Sequence, residues 1–179
     1  GGEVGDCLVT HPDIRFVAFT GSAEVGLRIH RLTAEKSNGL WMTRLVAEMG
    51  GKNAIVVDES ADLDEAVRGV IRSAFGFQGQ KFSACSRLVI HQKIHDAFVD
   101  MVLERMKSLP VGNPWEDPCI FTGPVANRPA MDKILAFIEK GKAEGTLRIG
   151  GERIDRPGHF VAPPVFTGSS PPNSIRPSL

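Results

Sequence analysis

Short apolar segments and longer amphipathic segments alternate along most of this 179-residue chain. The first apolar segment, Ile14 to Thr20, is rich in β-branched and aromatic residues and ends at Gly21, which predicts a strand buried on both faces. Apolar residues then recur at helical spacing and predict a helix from about Ala23 to Ala34. Because strands that alternate with helices of this length form parallel sheets with right-handed crossovers, the expected fold class is α/β.

The alternation of strand and helix continues beyond this first unit. Apolar runs predict three further strands, at residues 45–47, 54–57 and 87–91. Apolar residues at helical spacing predict three further helices, at residues 63–74, 94–102 and 131–138. Asp62 offers an N-cap to the first of these helices, with Glu65 three residues on, and Gly141 should end the last. The final stretch, residues 168–179, is rich in Ser, Pro and Asn and is expected to be disordered.

Charge and cysteine content bear on the classes of partner that the chain is expected to have. Lys plus Arg and Asp plus Glu number 21 each, so the formal net charge is zero, and the basic residues are scattered. We therefore expect neither a nucleic-acid surface nor an anionic-membrane surface. No apolar stretch approaches the ~20 residues that span a bilayer, and no signal-peptide pattern is found. The three cysteines are widely spaced, which indicates free thiols in a reducing compartment.

The first candidate site is the turn that follows the first strand, from Phe19 to Gly26. Here a strand runs into a glycine and then into the start of a helix, where unpaired N–H groups and the positive helix end suit a phosphate or pyrophosphate. Gly21 would let such a ligand approach closely. From spacing alone, a simple strand-to-helix turn remains an open interpretation, because the segment is not a full G-x-G-x-x-G pattern.

The second candidate site is Glu48 with the glycine pair at 50–51. A carboxylate at the end of a strand and beside flexible glycines can act as a general base, and a partly dry pocket would raise its pKa toward neutrality. The alternative is a surface glutamate that precedes a turn, which the residues alone favour.

The third candidate site is the glycine-bearing loop from Gln78 to Arg87, which joins a predicted helix to a predicted strand. Such loops are where α/β proteins place reactive groups. Taken alone, Cys85 in this loop is more often a small buried hydrophobic residue than a nucleophile. The five histidines are dispersed, and the junction between His91 and His95 breaks helical phase, so no metal site is expected.

Three ordered motifs together resemble the NAD-dependent aldehyde dehydrogenase superfamily. They are Phe-Thr-Gly-Ser-x-Glu-Val-Gly at 19–26, Glu-x-Gly-Gly-Lys-Asn at 48–53, and Phe-Gln-Gly-Gln-Lys-x-Ser-Ala-Cys-Ser-Arg at 77–87. The last part, Lys-x-Ser-Ala-Cys-Ser-Arg, is most similar to the 1-pyrroline-5-carboxylate dehydrogenase branch. The resemblance covers roughly Gly2 to Thr167 and implies an aldehyde-dehydrogenase-like fold of parallel sheets with flanking helices.

The resemblance also implies two partial domains and a bound cofactor. Residues 1–48 would be the C-terminal part of an NAD-binding domain, and residues 49–167 the N-terminal part of a catalytic domain. The pyrophosphate and adenosine of NAD would be contacted by Gly21, Ser22, Val25 and Gly26. Gly50 would let the nicotinamide pack closely. The family pattern is expected to end after Thr167.

In the same family, Glu48 would be the general base that activates the deacylating water, and Ser83 would help to hold the substrate carboxylate. Phe82 occupies the position of the nucleophilic cysteine that attacks the aldehyde. A benzyl side chain cannot attack a carbonyl or carry an acyl group. The resemblance therefore implies a chain that lacks the atom on which the chemistry of its family depends.

The expected parent function is NAD-dependent oxidation of L-glutamate 5-semialdehyde to glutamate in proline catabolism, with this chain itself inactive. Because the chain begins at Gly1 rather than a methionine, we expect a fragment or a processed chain. The resemblance implies a homo-oligomeric parent located in the cytoplasm, or in the mitochondrial matrix if the source is eukaryotic. The alternative is a non-catalytic remnant that acts as a binding or assembly module.

Overall fold

The computed structural model describes residues 3–36 and 41–168. It divides the chain into two compact units, Gly1–Gly51 and Lys52–Leu179. The assignment of these units to a cofactor-binding and a catalytic domain remains a prediction. The sequence predicts disorder for residues 168–179, and residues 169–179 lie outside the described residues.

The first unit contains a parallel pair of strands and two helices. Its elements are α1 (Gly5–Thr10), β1 (Phe16–Thr20), α2 (Ala23–Glu35) and β2 (Arg44–Glu48). β1 and β2 run parallel, with Phe16 opposite Arg44 and Thr20 opposite Glu48. Both strands and α2 lie where the sequence predicts them. α1 was not predicted, since its six residues include a single buried one, Val9, and are too few to show a period.

The first strand is not buried on both faces, as the sequence predicts. Exposed and half-buried residues alternate along β1 and β2 alike, and Phe16 is 56% exposed. The half-buried residues of β2 share one face of the sheet with those of β1, and α2 contacts β2. Within the described part of this unit, α1 and α2 are the two helices, and α1 packs on α2 rather than on the sheet. One face of the strand pair is therefore left uncovered by these helices.

The second unit combines a parallel pair and an antiparallel pair of strands with three helices. Its elements are β3 (Asn53–Val57), α3 (Leu63–Phe75), β4 (Cys85–Ile90), α4 (His95–Lys107), α5 (Arg128–Glu144), β5 (Thr146–Ile149) and β6 (Val165–Thr167). β3 and β4 pair in parallel, which confirms the predicted pairing class. β5 and β6 pair antiparallel. This last pair was not predicted, because strands of four and three residues carry little periodic signal.

One predicted helix end is confirmed by the structure and another is wrong. The Asp62 side chain accepts a hydrogen bond from the Glu65 N–H at 3.0 Å, so the predicted cap of α3 is confirmed. The prediction that Gly141 ends the last helix is wrong, because α5 continues to Glu144. A Cβ at Gly141 would lie 2.9 Å from the ring of Phe166 in β6. This glycine therefore permits close packing of a strand residue on the helix and does not end it.

The core of the second unit lies between β3, α3 and α4. It consists of Val57, Val67, Val70, Ile71, Phe98, Val102 and Met106. Phe98 is fully buried. The opposite face of the β3–β4 pair is exposed, and its register partners Val56 and Val89 are 73% and 55% exposed. The sheet thus has one packed face and one apolar face that contacts solvent.

We expect adjacent valines in β3 to differ sharply in their contribution to stability. Val57→Ala should lower the free energy of unfolding by about 2 kcal/mol, because Val57 is 2% exposed and its truncation leaves a cavity in the core. Val56→Ala, at 73% exposure, should change it by less than about 0.5 kcal/mol. Urea unfolding followed by circular dichroism measures both values. Equal destabilisation by the two substitutions would contradict the assignment of the packed face.

Candidate functional site

The Ser22 side chain in the turn after β1 caps helix α2, and two N–H groups at the start of this helix remain available. The Ser22 hydroxyl accepts a hydrogen bond from the Val25 N–H at 3.3 Å, and the Ser22 carbonyl accepts from the Gly26 N–H at 2.9 Å. The N–H groups of Ala23 and Glu24 have no acceptor among the described residues. They lie at the positive end of a thirteen-residue helix, which is a suitable place for an anion.

A backbone hydrogen bond joins this turn to the second candidate segment. The Gly21 N–H donates to the Glu48 carbonyl at 3.1 Å, since β1 and β2 are parallel and end side by side. The Glu48 side chain is exposed. The structure therefore brings Gly21, Ser22 and Glu48 to the carboxyl end of the same strand pair, where α/β folds commonly bind ligands.

The three glycines predicted to face the cofactor have different surroundings. A Cβ at Gly21 would lie 2.5 Å from the Phe19 ring, and one at Gly26 would lie 2.7 Å from the Met49 sulfur. Packing inside the unit thus accounts for both glycines. A Cβ at Gly50 would have no atom within 4 Å, so packing does not require a glycine there. Contact of these glycines with a cofactor remains a prediction.

The loop that carries the third motif has an unusual backbone. After α3 the chain makes a 3-10 turn, Gly76–Gly79, in which Phe77 and Gln78 have φ values of 57° and 56°. Gly79 follows with φ 67°. Residues other than glycine seldom adopt this left-handed conformation, and they hold it where the surrounding structure fixes them. No feature of the sequence predicted it at Phe77 and Gln78.

Side-chain hydrogen bonds hold the rest of the loop. The Asn53 Nδ2 group donates to the Phe82 carbonyl at 2.6 Å, and the Cys85 N–H donates to the Ser73 hydroxyl at 3.1 Å. Phe82 is 61% exposed, and Ser83 is exposed as well. The loop precedes β4 and so lies at the amino end of the β3–β4 pair, whereas the general rule for α/β sheets expects a reactive site at the carboxyl end.

The residues of this loop provide no exposed thiol. Phe82 has no lone pair to attack a carbonyl carbon. The nearest thiol in the sequence, Cys85, is 7% exposed and its Sγ lies 3.2 Å from the Arg87 carbonyl oxygen. This burial agrees with the expectation that Cys85 is a small hydrophobic residue. A cavity of about 310 Å³ reaches the loop at Gln78 and Cys85, but Phe82 is not among the residues that line it.

Residues 3–36 and 41–168 contain neither a metal-binding cluster nor a membrane-spanning helix. Within these ranges, no three His, Cys, Asp or Glu side chains are grouped in a way that could hold a metal ion. None of the helices there is long and apolar enough to cross a membrane. Cys7, Cys85 and Cys119 are free thiols, of which Cys7 and Cys119 are exposed.

Comparison with known proteins gives a consistent result along most of the chain. The family model described as the aldehyde dehydrogenase family matches residues 1–176. The match continues past Thr167, where we expected the family pattern to end. The chain is 49% identical over 172 residues to a 1-pyrroline-5-carboxylate dehydrogenase of Anoxybacillus flavithermus, covering 96% of this chain and 33% of that protein. It is 48% identical over 167 residues to the Bacillus subtilis enzyme of the same name, covering 93% and 32%.

Solved structures of similar sequence share the fold. A 1-pyrroline-5-carboxylate dehydrogenase from Thermus with bound NAD superposes with a TM-score of 0.89 at 47% identity, covering 96% of this chain and 33% of that one. Proline utilization A from Bdellovibrio bacteriovorus gives 0.86 at 43% identity, covering 93% and 17%. The expected aldehyde-dehydrogenase-like fold is therefore confirmed. The chain spans about a third of the length of the curated relatives it matches.

The left-handed turn before Phe82 gives a stability prediction with a matched control. Gly79→Ala should lower the free energy of unfolding by about 1–3 kcal/mol, because φ is 67° and the new Cβ would lie 2.9 Å from the Ala74 carbonyl oxygen. Gly69→Ala should instead raise it by about 0.5–1 kcal/mol, since Gly69 lies inside α3 with open space around it. Thermal unfolding compares them, and a neutral Gly79→Ala would contradict the described backbone.

Proposed function

Because this chain belongs to the aldehyde dehydrogenase family, we propose that it is part of an NAD-dependent enzyme that oxidises L-glutamate 5-semialdehyde to glutamate in proline catabolism. The observation that carries the proposal is the sequence likeness to relatives named 1-pyrroline-5-carboxylate dehydrogenase, at 49% identity over 172 residues. The Lys-x-Ser-Ala-Cys-Ser-Arg motif at 81–87 supports the same branch. The parent enzyme would act in the cytoplasm as a homo-oligomer.

The proposed cofactor site is the turn that begins α2. The N–H groups of Ala23 and Glu24 fit a pyrophosphate, since they are unpaired within the described residues and lie at a positive helix end. The open space beside Gly50 fits the close approach of a flat ring. NAD, when bound, would supply the acceptor for the hydride that leaves the aldehyde carbon. Gly21, Ser22, Val25 and Gly26 would form the floor of this site.

Glu48 is the proposed general base. Its carboxylate is exposed, and its backbone carbonyl is fixed by the Gly21 N–H, so the side chain starts from a defined point at the end of β2. A carboxylate in this place can take a proton from the water that releases the acid product. We propose that Ser83, exposed in the loop of the second unit, hydrogen-bonds the carboxylate of the substrate.

The chemical step would be absent in this chain because Phe82 stands at the nucleophile position. The family reaction needs a thiolate that adds to the aldehyde carbon and holds the resulting acyl group as a thioester until water cleaves it. A phenyl ring can do neither. Cys85 does not replace the nucleophile, since its thiol is buried and three residues of extended chain separate it from position 82 by up to ~10 Å.

We expect the chain to produce no NADH from glutamate semialdehyde and NAD, and Phe82→Cys to create activity. A thiol at position 82 restores the missing group, whereas the matched Phe82→Ser variant removes the ring without adding a comparable nucleophile. Absorbance at the NADH band measures the rate, and mass spectrometry of trapped protein detects an acyl adduct on residue 82. Glu48→Gln in the Phe82→Cys background should slow turnover by about 100-fold or more.

Two results would contradict this account. One is NADH production by the unaltered chain that persists in Glu48→Gln and disappears in Cys85→Ser, because Cys85 would then be the nucleophile. The other is a Phe82→Cys variant that binds NAD and stays as inactive as Phe82→Ser. That result would favour the alternative of a non-catalytic binding or assembly module.

We expect the chain to bind NAD weakly, with a dissociation constant well above about 1 µM. The turn at the start of α2 offers two unpaired N–H groups and one positive helix end, and tight binding of a dinucleotide needs a more enclosed cleft. Isothermal titration calorimetry measures the affinity. Ser22→Ala, which removes the cap of α2, should weaken binding further. Sub-micromolar binding would contradict the prediction.

A further inference from the structure

The start of β3 is connected to the tip of the loop at position 82. The Asn53 side-chain amide donates to the Phe82 carbonyl at 2.6 Å, across 29 residues of sequence. The backbone carbonyl of the same Asn53 accepts a hydrogen bond from the Ser86 hydroxyl at 3.3 Å. Asn53 therefore contacts the loop before β4 through its side chain and the first residues of β4 through its backbone.

The loop needs such a connection because its backbone departs from ordinary conformations. Phe77 and Gln78 are left-handed, and Gly79 follows in the same region. Two short turns complete the segment, in which the Gln80 N–H donates to the Phe77 carbonyl at 3.0 Å and the Ala84 N–H donates to the Lys81 carbonyl at 3.1 Å. A segment of this kind keeps one conformation only where neighbouring elements fix it.

Packing of the side chain at position 82 does not supply this restraint. Phe82 is 61% exposed, so most of its ring contacts solvent. The ring gains little from the position that it occupies, since apolar burial is what holds an aromatic side chain in place. The hydrogen bond from Asn53 fixes the Phe82 carbonyl and with it the peptide plane from which the side chain projects.

We propose that Asn53 is the positioning residue of this loop, and that its side-chain amide sets the direction in which the side chain of residue 82 is presented. The role requires a donor, because the group that it holds is a carbonyl. An aspartate of the same shape cannot donate to that oxygen at neutral pH. The catalytic consequence rests on the proposed function, but the restraint on the loop does not.

The first test uses the chain as it exists and needs no activity. Amide hydrogen exchange of Gln80 and Ala84, followed by NMR, reports opening of the two turns. Asn53→Asp should raise both exchange rates by about fivefold or more, the factor expected when one hydrogen bond is lost. Asn53→Gln, which keeps the amide, should restore most of the protection. The matched control is Ser86→Ala, which removes a bond to the Asn53 backbone and leaves the Phe82 carbonyl untouched.

The outcome of this exchange experiment is decisive in either direction. Faster exchange in Asn53→Asp but not in Asn53→Gln or Ser86→Ala supports the proposal. Equal exchange in all variants, or equal loosening by Asn53→Asp and Ser86→Ala, overturns it. Amides of α4 serve as an internal reference, because a variant with lower global stability would raise their exchange as well.

The second test separates positioning from stability in the Phe82→Cys background. Asn53→Asp should lower kcat by about 100-fold with KM unchanged, since a misplacement of about 1 Å can cost this much in rate. In the same double variant, the rate at which iodoacetamide alkylates the thiol at position 82, read by peptide mass spectrometry, should depend on pH differently from the rate in Phe82→Cys alone. A change in KM with kcat unchanged would overturn the catalytic part of the proposal. If Phe82→Cys itself is inactive while the exchange result holds, the proposed function fails and the role of Asn53 in the loop stands.

Discussion

Parallel strand pairing is the constraint on which both candidate segments depend. In the first unit, the register that places Thr20 opposite Glu48 also places the Gly21 N–H on the Glu48 carbonyl. In the second unit, Asn53 lies opposite Cys85, so the loop before β4 ends against the start of β3. Parallel pairing joins segments that are far apart in sequence, because a helix must intervene between the strands. A shift of register by one residue would separate these paired groups within each unit.

Local rules predicted the elements whose ends are decided by neighbouring residues. Asp62 caps α3, as predicted, because a short polar side chain reaches the N–H three residues on, whatever the rest of the chain does. The same reasoning failed at Gly141, which lies inside α5 and packs against the ring of Phe166. It failed again for β1, whose exposure depends on what covers the sheet. Contacts between distant residues have no signature in a sequence window.

In the candidate site, too, the sequence predicted some features and missed others. Strand and helix periodicity predicted correctly the elements in which Gly21, Glu48 and the loop around position 82 lie. The left-handed Phe77 and Gln78 were not predicted, since nothing in a phenyl or amide side chain favours positive φ. The bond from Asn53 was not predicted either. It depends on β3 and the loop meeting at the amino end of a sheet.

The conformation of the loop is separable from the identity of the side chain at position 82. Every hydrogen bond described for the loop tip is made by the backbone or by a residue other than the one at position 82, and the Phe82 ring is 61% exposed. The conformation therefore does not depend on the identity of that side chain. A small thiol in the same place would project from the same peptide plane, held by the same amide of Asn53. We therefore expect a substitution at position 82 to change the chemistry available there without changing the fold of the loop.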